Sequence, residues 1–257
     1  MINKITSRDN KILKLVRSLH RKKGRTDSGL YFAEGARLID EALVSVPESV
    51  RYIIVSENFC EKNTDYINSL DREDKIVYIT EDKLFNEVCD TESPQGIGAV
   101  IEMPKETETE QVKVEYILIL DGVSEPGNMG TIIRTAEAAG VDVIYMTSGC
   151  VDIYNPKVVR SAMGSLFRMK FAQCDADAVR RLKADGFVIV ATALYNSVPI
   201  EEAKVQGKRA IVIGNEAQGV SQEMLSLADM AVRIDMCGKV ESLNAAVAAG
   251  IAMYTFK

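Results

Sequence analysis

Histidine is almost absent from these 257 residues, His20 being the only one. That excludes an imidazole-based catalytic dyad or a histidine-rich metal site from the C-terminal half. The five cysteines, Cys60, Cys89, Cys150, Cys174 and Cys237, are scattered, odd in number and never in a Cys-x-x-Cys spacing. They read as buried free thiols. No stretch approaches the ~20 apolar residues of a membrane span; the longest apolar run lies within Ala245–Tyr254 and contains a glycine. The opening MINKITSRDN has no apolar segment of the secretory-signal kind, so the cytoplasm is the expected location. The glycine fingerprint of dinucleotide binding is missing, and so are the Lys and Ser/Thr of a phosphate-binding P-loop.

What is present is a chain long enough for one large domain or two modest ones. Hydrophobic residues make up 47% and charged residues 26%, which suits a packed soluble core. The net charge is −6, but it is unevenly spread. Residues 1–37 hold ten Lys and Arg against three Asp and Glu, a local balance of +7 that leaves −13 on the rest. A basic N-terminal surface on an acidic body fits an anionic partner, or else a solvated basic helix with no partner.

Along Ile5–Lys23, Ile12, Leu15, Val16 and Leu19 recur at helical spacing, with Lys11, Lys14, Arg17, Arg21 and Lys22 mostly elsewhere on the wheel. Thr6 or Ser7 can cap this helix. Gly24–Gly29 reads as a polar turn, and residues 31–35 lead into a second helix through Ala36–Leu43. Strand-like runs follow at Tyr52–Val55, Ile76–Ile79 and Gly98–Ile101. The charged stretch Met103–Val114 reads as a linker, which divides the chain into 1–104, a linker at 105–114, and 115–257. Beyond it, strand-like runs at Tyr116–Leu120, Asp142–Met146, Arg168–Ala172, Phe187–Ala193, Ala210–Gly214 and Met230–Asp235 alternate with helical patterns. Those patterns cover Asn128–Ala139, Pro156–Leu166, Ala176–Ala184, Ser221–Ser226 and Ser242–Phe256. The alternation implies an α/β fold with a parallel sheet.

Three stretches carry the chemistry, each breaking from an apolar strand into polar residues where open α/β sheets bind ligands. The first, Gly127–Val141, puts Asn128 at the expected N-cap and Arg134 about two turns on; a capping asparagine and a solvated arginine would explain both. The second, Ile213–Val220, holds Glu216 between Gly214 and Gly219, either as an acceptor for an amine or hydroxyl or as an exposed turn residue. In the third, Ile234–Tyr254, a strand closes at Ile234–Met236 and Ser242 caps a helix. Its apolar face is Leu243, Val247, Ile251 and Tyr254, and its many alanines favour close packing on another helix or a second subunit. Core packing does not account for Asn244 beside Ser242.

Taken together these residues resemble the SpoU/TrmH family of RNA methyltransferases in the SPOUT superfamily. The matching motifs are Asn128…Gly130…Arg134-Thr135-Ala136, Gly214-x-Glu216-x-x-Gly219 and Glu241-Ser242-Leu243-Asn244, with the run from Asn155 to Gly164 also similar. Ala217 and Asp235 depart from the usual Gly and Pro. The match covers roughly Ile117–Tyr254, and Phe32-Ala33-Glu34-Gly35 is more loosely similar to the ribosomal-protein-like substrate-binding domain of the rRNA-modifying branch. The resemblance implies a C-terminal SPOUT domain whose parallel sheet carries a deep trefoil knot, a smaller N-terminal α/β substrate-binding domain, and a homodimer. It implies S-adenosylmethionine as cofactor, S-adenosylhomocysteine as product, no metal, and methylation of a ribose 2′-hydroxyl, in rRNA rather than tRNA. The alternatives are a tRNA ribose 2′-O-methyltransferase or a non-catalytic RNA-binding module of the same fold. Arg134 would be the catalytic arginine, ordered by Asn128, Glu216, Ser242 and Asn244. Thr192, Gly214, Asn215, Glu216, Gly219, Ile234, Met236 and Leu243 would surround the cofactor. Lys11, Lys14, Arg17, Arg21, Lys22, Lys23, Arg25 and Arg160 would meet RNA.

Overall fold

The structure is a computed structural model that describes residues 2–72, 75–104 and 113–257. Residues 2–72, 75–104 and 154–167 form one unit, and 113–153 with 168–257 form the other. The linker expected at 105–114 falls mainly on 105–112, outside the described residues. No helix among the described residues is long and apolar enough to cross a membrane.

The first unit runs β1 (Ile2–Ile5), α1 (Lys11–Leu19), α2 (Lys22–Ser28), β2 (Leu30–Glu34), α3 (Ala36–Ser45), β3 (Val50–Ser56), α4 (Glu57–Lys62), α5 (Thr64–Arg72), β4 (Val77–Thr80), α6 (Asp82–Asn86) and β5 (Ile97–Glu102). Its sheet has the order β1-β4-β3-β5-β2, parallel across the first three strands and antiparallel beyond. Leu13, Val16 and Leu19 of α1 pack into a core with Phe32, Ile54, Phe85 and Val100. The cap of α1 is Asn10, whose Oδ1 accepts from Ile12 N at 2.8 Å; Ser7 instead closes the turn after β1, its Oγ accepting from Asp9 N at 3.2 Å and its carbonyl from Asn10 N at 3.1 Å. The expected turn at 24–29 is instead helix α2, closed by Gly29 in the left-handed region at φ 68°. Gly24 is there for proximity rather than flexibility: a Cβ on it would stand 2.1 Å from the Ser18 carbonyl oxygen.

The second part of the chain runs β6 (Tyr116–Asp121), α7 (Pro126–Ala139), β7 (Val143–Met146), α8 (Pro156–Ala162), α9 (Ser165–Arg168), β8 (Lys170–Gln173), α10 (Ala176–Ala184), β9 (Val188–Thr192), β10 (Val198–Pro199), β11 (Arg209–Gly214), α11 (Gln222–Leu227), β12 (Met230–Arg233) and α12 (Ala245–Thr255). The helix expected over 156–166 is broken at Met163, which takes φ 53°. The segment 154–167 belongs with the first unit, where the Tyr154 ring lies 4.8 Å from that of Tyr31.

All seven strands of the second sheet are parallel, in the order β10-β12-β9-β11-β6-β7-β8. Ile117, Ile119, Ile189 and Val212 pack on one side against Val179, Leu182 and Met224. The chain builds outward from β6 in one direction and then returns to the other side. The reversal falls between β6 and β11, where open α/β sheets leave a crevice. There Asp121 and Gly214 are register partners.

Three details of this sheet differ from expectation. Helix α7 is capped by Glu125, which accepts from Gly127 N at 3.2 Å, so Asn128 lies inside the first turn with its amide free for other work. Strand β12 stops at Arg233, before Ile234 and Met236. Helix α12 is capped by Asn244, not Ser242, and buries Ala246, Ala249, Ala252 and Met253. Val247 and Tyr254, assigned to its apolar face, are 51% and 53% exposed. The alanine face goes inward because it lets α12 lie close on α7 and β11: Gly250 sits where a Cβ would be 3.6 Å from Thr135 Cγ2.

Candidate active site

The carboxyl ends of β6 and β11 open into two loops that one side chain ties together. Glu216 Oε1 accepts from Asn128 Nδ2 and from Glu125 N, both at 3.0 Å. Its Oε2 accepts from Ser124 N at 3.2 Å and Ser124 Oγ at 3.1 Å. Asn128 Oδ1 in turn accepts from Asn244 Nδ2 at 2.8 Å. Asn244 Oδ1 accepts from Ala246 N at 2.9 Å and Val247 N at 3.3 Å. One continuous network thus joins the β6–α7 loop, the loop after β11 and the start of α12.

Charge follows from this geometry. Burial pushes the Glu216 carboxyl up, but the Asn128 amide and the backbone N–H groups of Glu216, Glu125 and Ser124 outweigh it and hold the pKa at about 2. A carboxylate this acidic, with both oxygens engaged, is a poor proton acceptor at neutral pH. It works as a fixed anionic anchor.

The loop it belongs to is held shut by its own backbone. Asn215 and Gly219 exchange N–H···O bonds of 3.0 and 2.9 Å, and Gly219 sits at φ 71°. Asn215 Oδ1 accepts from Ala217 N and Gln218 N, while its Nδ2 donates to Gly122 O at 2.7 Å. Gly214 is indispensable to this fold-back, since a Cβ there would stand 2.1 Å from Gly219 C and Val220 N. Sequence reasoning missed two further supports. Asp121 Oδ2 accepts from Ser221 N at 2.7 Å, and Ser124 has no pattern around it that would single it out.

Of the expected catalytic residues, Asn128, Glu216 and Asn244 are brought together. Arg134 and Ser242 are exposed and make no hydrogen bond to them. Thr192 donates its hydroxyl to Val212 O at 3.1 Å, so it is engaged within the sheet. Ile234, Met236 and Leu243 are half-buried along the segment between β12 and α12. Among the described residues, no backbone hydrogen bond engages 234–243. Nearby, Ser197 Oγ is buried without a partner, next to Arg233, which donates to Ser197 O. Unspent backbone donors and acceptors beside an orphaned hydroxyl fit the polar edge of a purine and ribose.

The expected RNA-binding residues divide. Arg25 is not a surface residue: it is 2% exposed and donates to Leu19 O at 2.8 Å, holding the α1–α2 junction from within. Arg160 is paired with Asp90 at 2.8 Å and lies 4.0 Å from Glu34. Lys14 is paired with Asp9 at 2.9 Å, and Arg17 donates to Arg8 O at 2.9 Å. The cysteines also differ from expectation. All are free thiols, but only Cys174 is buried, and Cys237 is exposed.

A parallel α/β sheet with a glycine-closed loop at its reversal point, carrying an anchored carboxylate and open backbone groups, is the arrangement in which open α/β sheets bind nucleotide-like ligands. The sequence profile of the SpoU rRNA Methylase family matches residues 115–254, and that of an MRM3-like substrate binding domain matches 10–99. The chain belongs to the SpoU rRNA methylase family. It is 37% identical over 254 residues to the 23S rRNA (guanosine(2553)-2′-O)-methyltransferase RlmP of Bacillus subtilis (strain 168), covering 98% of each chain. Among solved structures, it is similar to an AdoMet-bound rRNA methyltransferase from Sinorhizobium meliloti, with a TM-score of 0.86, 28% identity, and coverage of 99% and 97%. It is also similar to the SpoU methyltransferase AviRb of Streptomyces viridochromogenes in complex with AdoMet, with a TM-score of 0.83, 28% identity and 96% coverage of each chain.

Proposed function

We propose that this protein transfers a methyl group from S-adenosylmethionine to a ribose 2′-hydroxyl of ribosomal RNA. The observation that carries the reading is the Glu216–Asn128–Asn244 network at the β6–β11 crevice, in a chain matched from end to end by a 23S rRNA 2′-O-methyltransferase. The cofactor's sulfonium supplies an electrophilic methyl when bound. Gly214, Asn215, Gly219 and the open backbone of 234–243, with Ile234, Met236 and Leu243, would hold its nucleoside, and Ser197 Oγ would gain a partner. The chain passing through itself as a trefoil knot would keep these loops together.

An alcohol is a weak nucleophile, so the site must orient the 2′-oxygen in line with the methyl group and manage its proton. Glu216 is too acidic for that task and instead fixes the loops. The Arg134 guanidinium offers donors and no acceptor, so its role is to stabilise the developing alkoxide or grip the neighbouring phosphate. Ser242 would hydrogen-bond the substrate nucleotide. The basic N-terminal segment would hold the RNA backbone. A homodimer agrees with the apolar Val247 and Tyr254 left exposed on α12.

The test is methyl transfer from labelled S-adenosylmethionine to RNA from a strain deleted for the gene, with Arg134→Ala in parallel. Label in one ribosomal RNA fragment, resistant to alkaline cleavage and reduced about 10²–10³-fold by the substitution, is expected. Label confined to small RNAs would move the substrate to tRNA. Absence of both label and cofactor binding would refute the reading.

A further inference from the structure

The positive charge of the N-terminal segment, ten Lys and Arg within residues 1–37, is not equally available. Lys14 and Arg17 are engaged within their own unit, Arg17 also lying 3.7 Å from Glu87, and Arg25 is buried. Arg21, Lys22 and Lys23 are exposed and have no acidic partner among the described residues. They lie together where α1 ends and α2 begins.

That junction is also where the surface is concave. A cleft of about 400 Å³ is lined by Arg17, Ser18, Arg21, Lys23, Gly24 and Asp27. It exists because α2 folds back on α1 closely enough that only glycine fits at 24, against the Ser18 carbonyl. Inside, the Arg25 guanidinium donates to Leu19 O and braces the bend. Arg17, held through Arg8 O, lines it with a tethered guanidinium, and Arg21 and Lys23 add unneutralised charge to the same lining. Asp27 is the one acid on the rim.

We infer that this elbow is the phosphate-gripping contact for the substrate RNA, with Arg21 and Lys23 on backbone phosphates and Arg17 and Gly24 shaping the cleft. The inference rests on the proposed RNA substrate, and charge complementarity selects the occupant. Phosphate neighbours along a strand match closely spaced cations without regard to sequence. The remaining basic residues of the segment contribute to the field but not to the grip.

The test uses the full-length protein and a fluorescein-labelled RNA oligonucleotide, with affinity measured by anisotropy across a salt series. Each phosphate contact to a single strand contributes about 0.7 to the slope of log K against log salt, so Arg21→Gln with Lys23→Gln should lower it by about 1.4. Lys62→Gln with Lys83→Gln, removing the same charge from exposed sites on α4 and α6, should leave the slope unchanged. S-adenosylmethionine affinity, read by calorimetry, should be equal in all three proteins, which shows that the variants are folded. Equal slopes for the two double variants would overturn the inference, as would equally strong competition by polyglutamate. If the slope falls as expected but the wild type methylates no RNA, the elbow stands and the methyltransferase reading falls.

Discussion

Glu216 is the residue on which the site's geometry turns, and its ionisation gives a direct test. Its folded pKa of about 2 is below the ordinary 4.5. A depressed carboxyl stabilises the fold fully above its unfolded pKa, and that stabilisation is lost as pH falls through the folded value. Wild type should therefore melt above Glu216→Gln at neutral pH, with the gap closing between about pH 4.5 and about 2. The amide retains one acceptor but opposes a donor to the N–H groups of Ser124 and Glu125, so it mimics the protonated state only in part. A gap constant down to pH 2 would mean that the carboxylate's charge has no part in holding the loops. Motif spacing picked out Glu216, Asn128 and Asn244, yet it could not show that they bond to one another, because their separations of 88 and 116 residues are closed only by the sheet. The hydrogen bonds that join those three residues do not extend to Arg134.

At the scale of elements, helix starts decide which polar side chains are available. Glu125 takes the cap of α7 and frees Asn128; Asn244 takes the cap of α12 while its amide reaches Asn128. Asn244→Ala removes both functions at once. It should cost about 1–2 kcal/mol by the usual value of a cap, measured by denaturant unfolding, and weaken S-adenosylmethionine binding as the loops loosen. Asn244→Asp keeps the cap acceptor but loses the amide donor, so stability should recover more than cofactor affinity. Recovery of both together would assign Asn244 to capping alone. Alternation of apolar runs with helical patterns made the parallel sheet legible, since six of the seven strands of the second sheet overlap a strand-like run and only the two-residue β10 does not. Less legible were elements whose cause is contact rather than period. Helix α2 looks like a turn because it contains Gly24, but that glycine serves the close approach to Ser18. The inward face of α12 was misjudged for a similar reason: hydrophobicity favours Val247 and Tyr254, whereas the closeness of α7 demands alanine.

At the scale of the whole molecule, the misjudged face becomes evidence. Val247 and Tyr254 are seven residues apart on one side of α12, exposed on a helix whose opposite side is fully packed. Scattered exposed apolar residues need no explanation, but two aligned on a helix that caps a candidate site invite one. Arg134 is exposed on α7, the helix that α12 lies against, and makes no hydrogen bond to Glu216. A second copy seated on this face by two-fold symmetry would bury the same residues on both chains. It would also enclose Arg134, making its charge more effective than in open water. Val247→Arg with Tyr254→Arg should then yield a monomer by analytical ultracentrifugation, where wild type should sediment as a dimer. Methyl transfer should fall far more than S-adenosylmethionine affinity, because in the proposed dimer the cofactor's loops would lie within one chain while Arg134 would owe its surroundings to the partner. A variant that stays dimeric with unaltered activity would place the subunit contact elsewhere and return the exposed pair to ordinary surface.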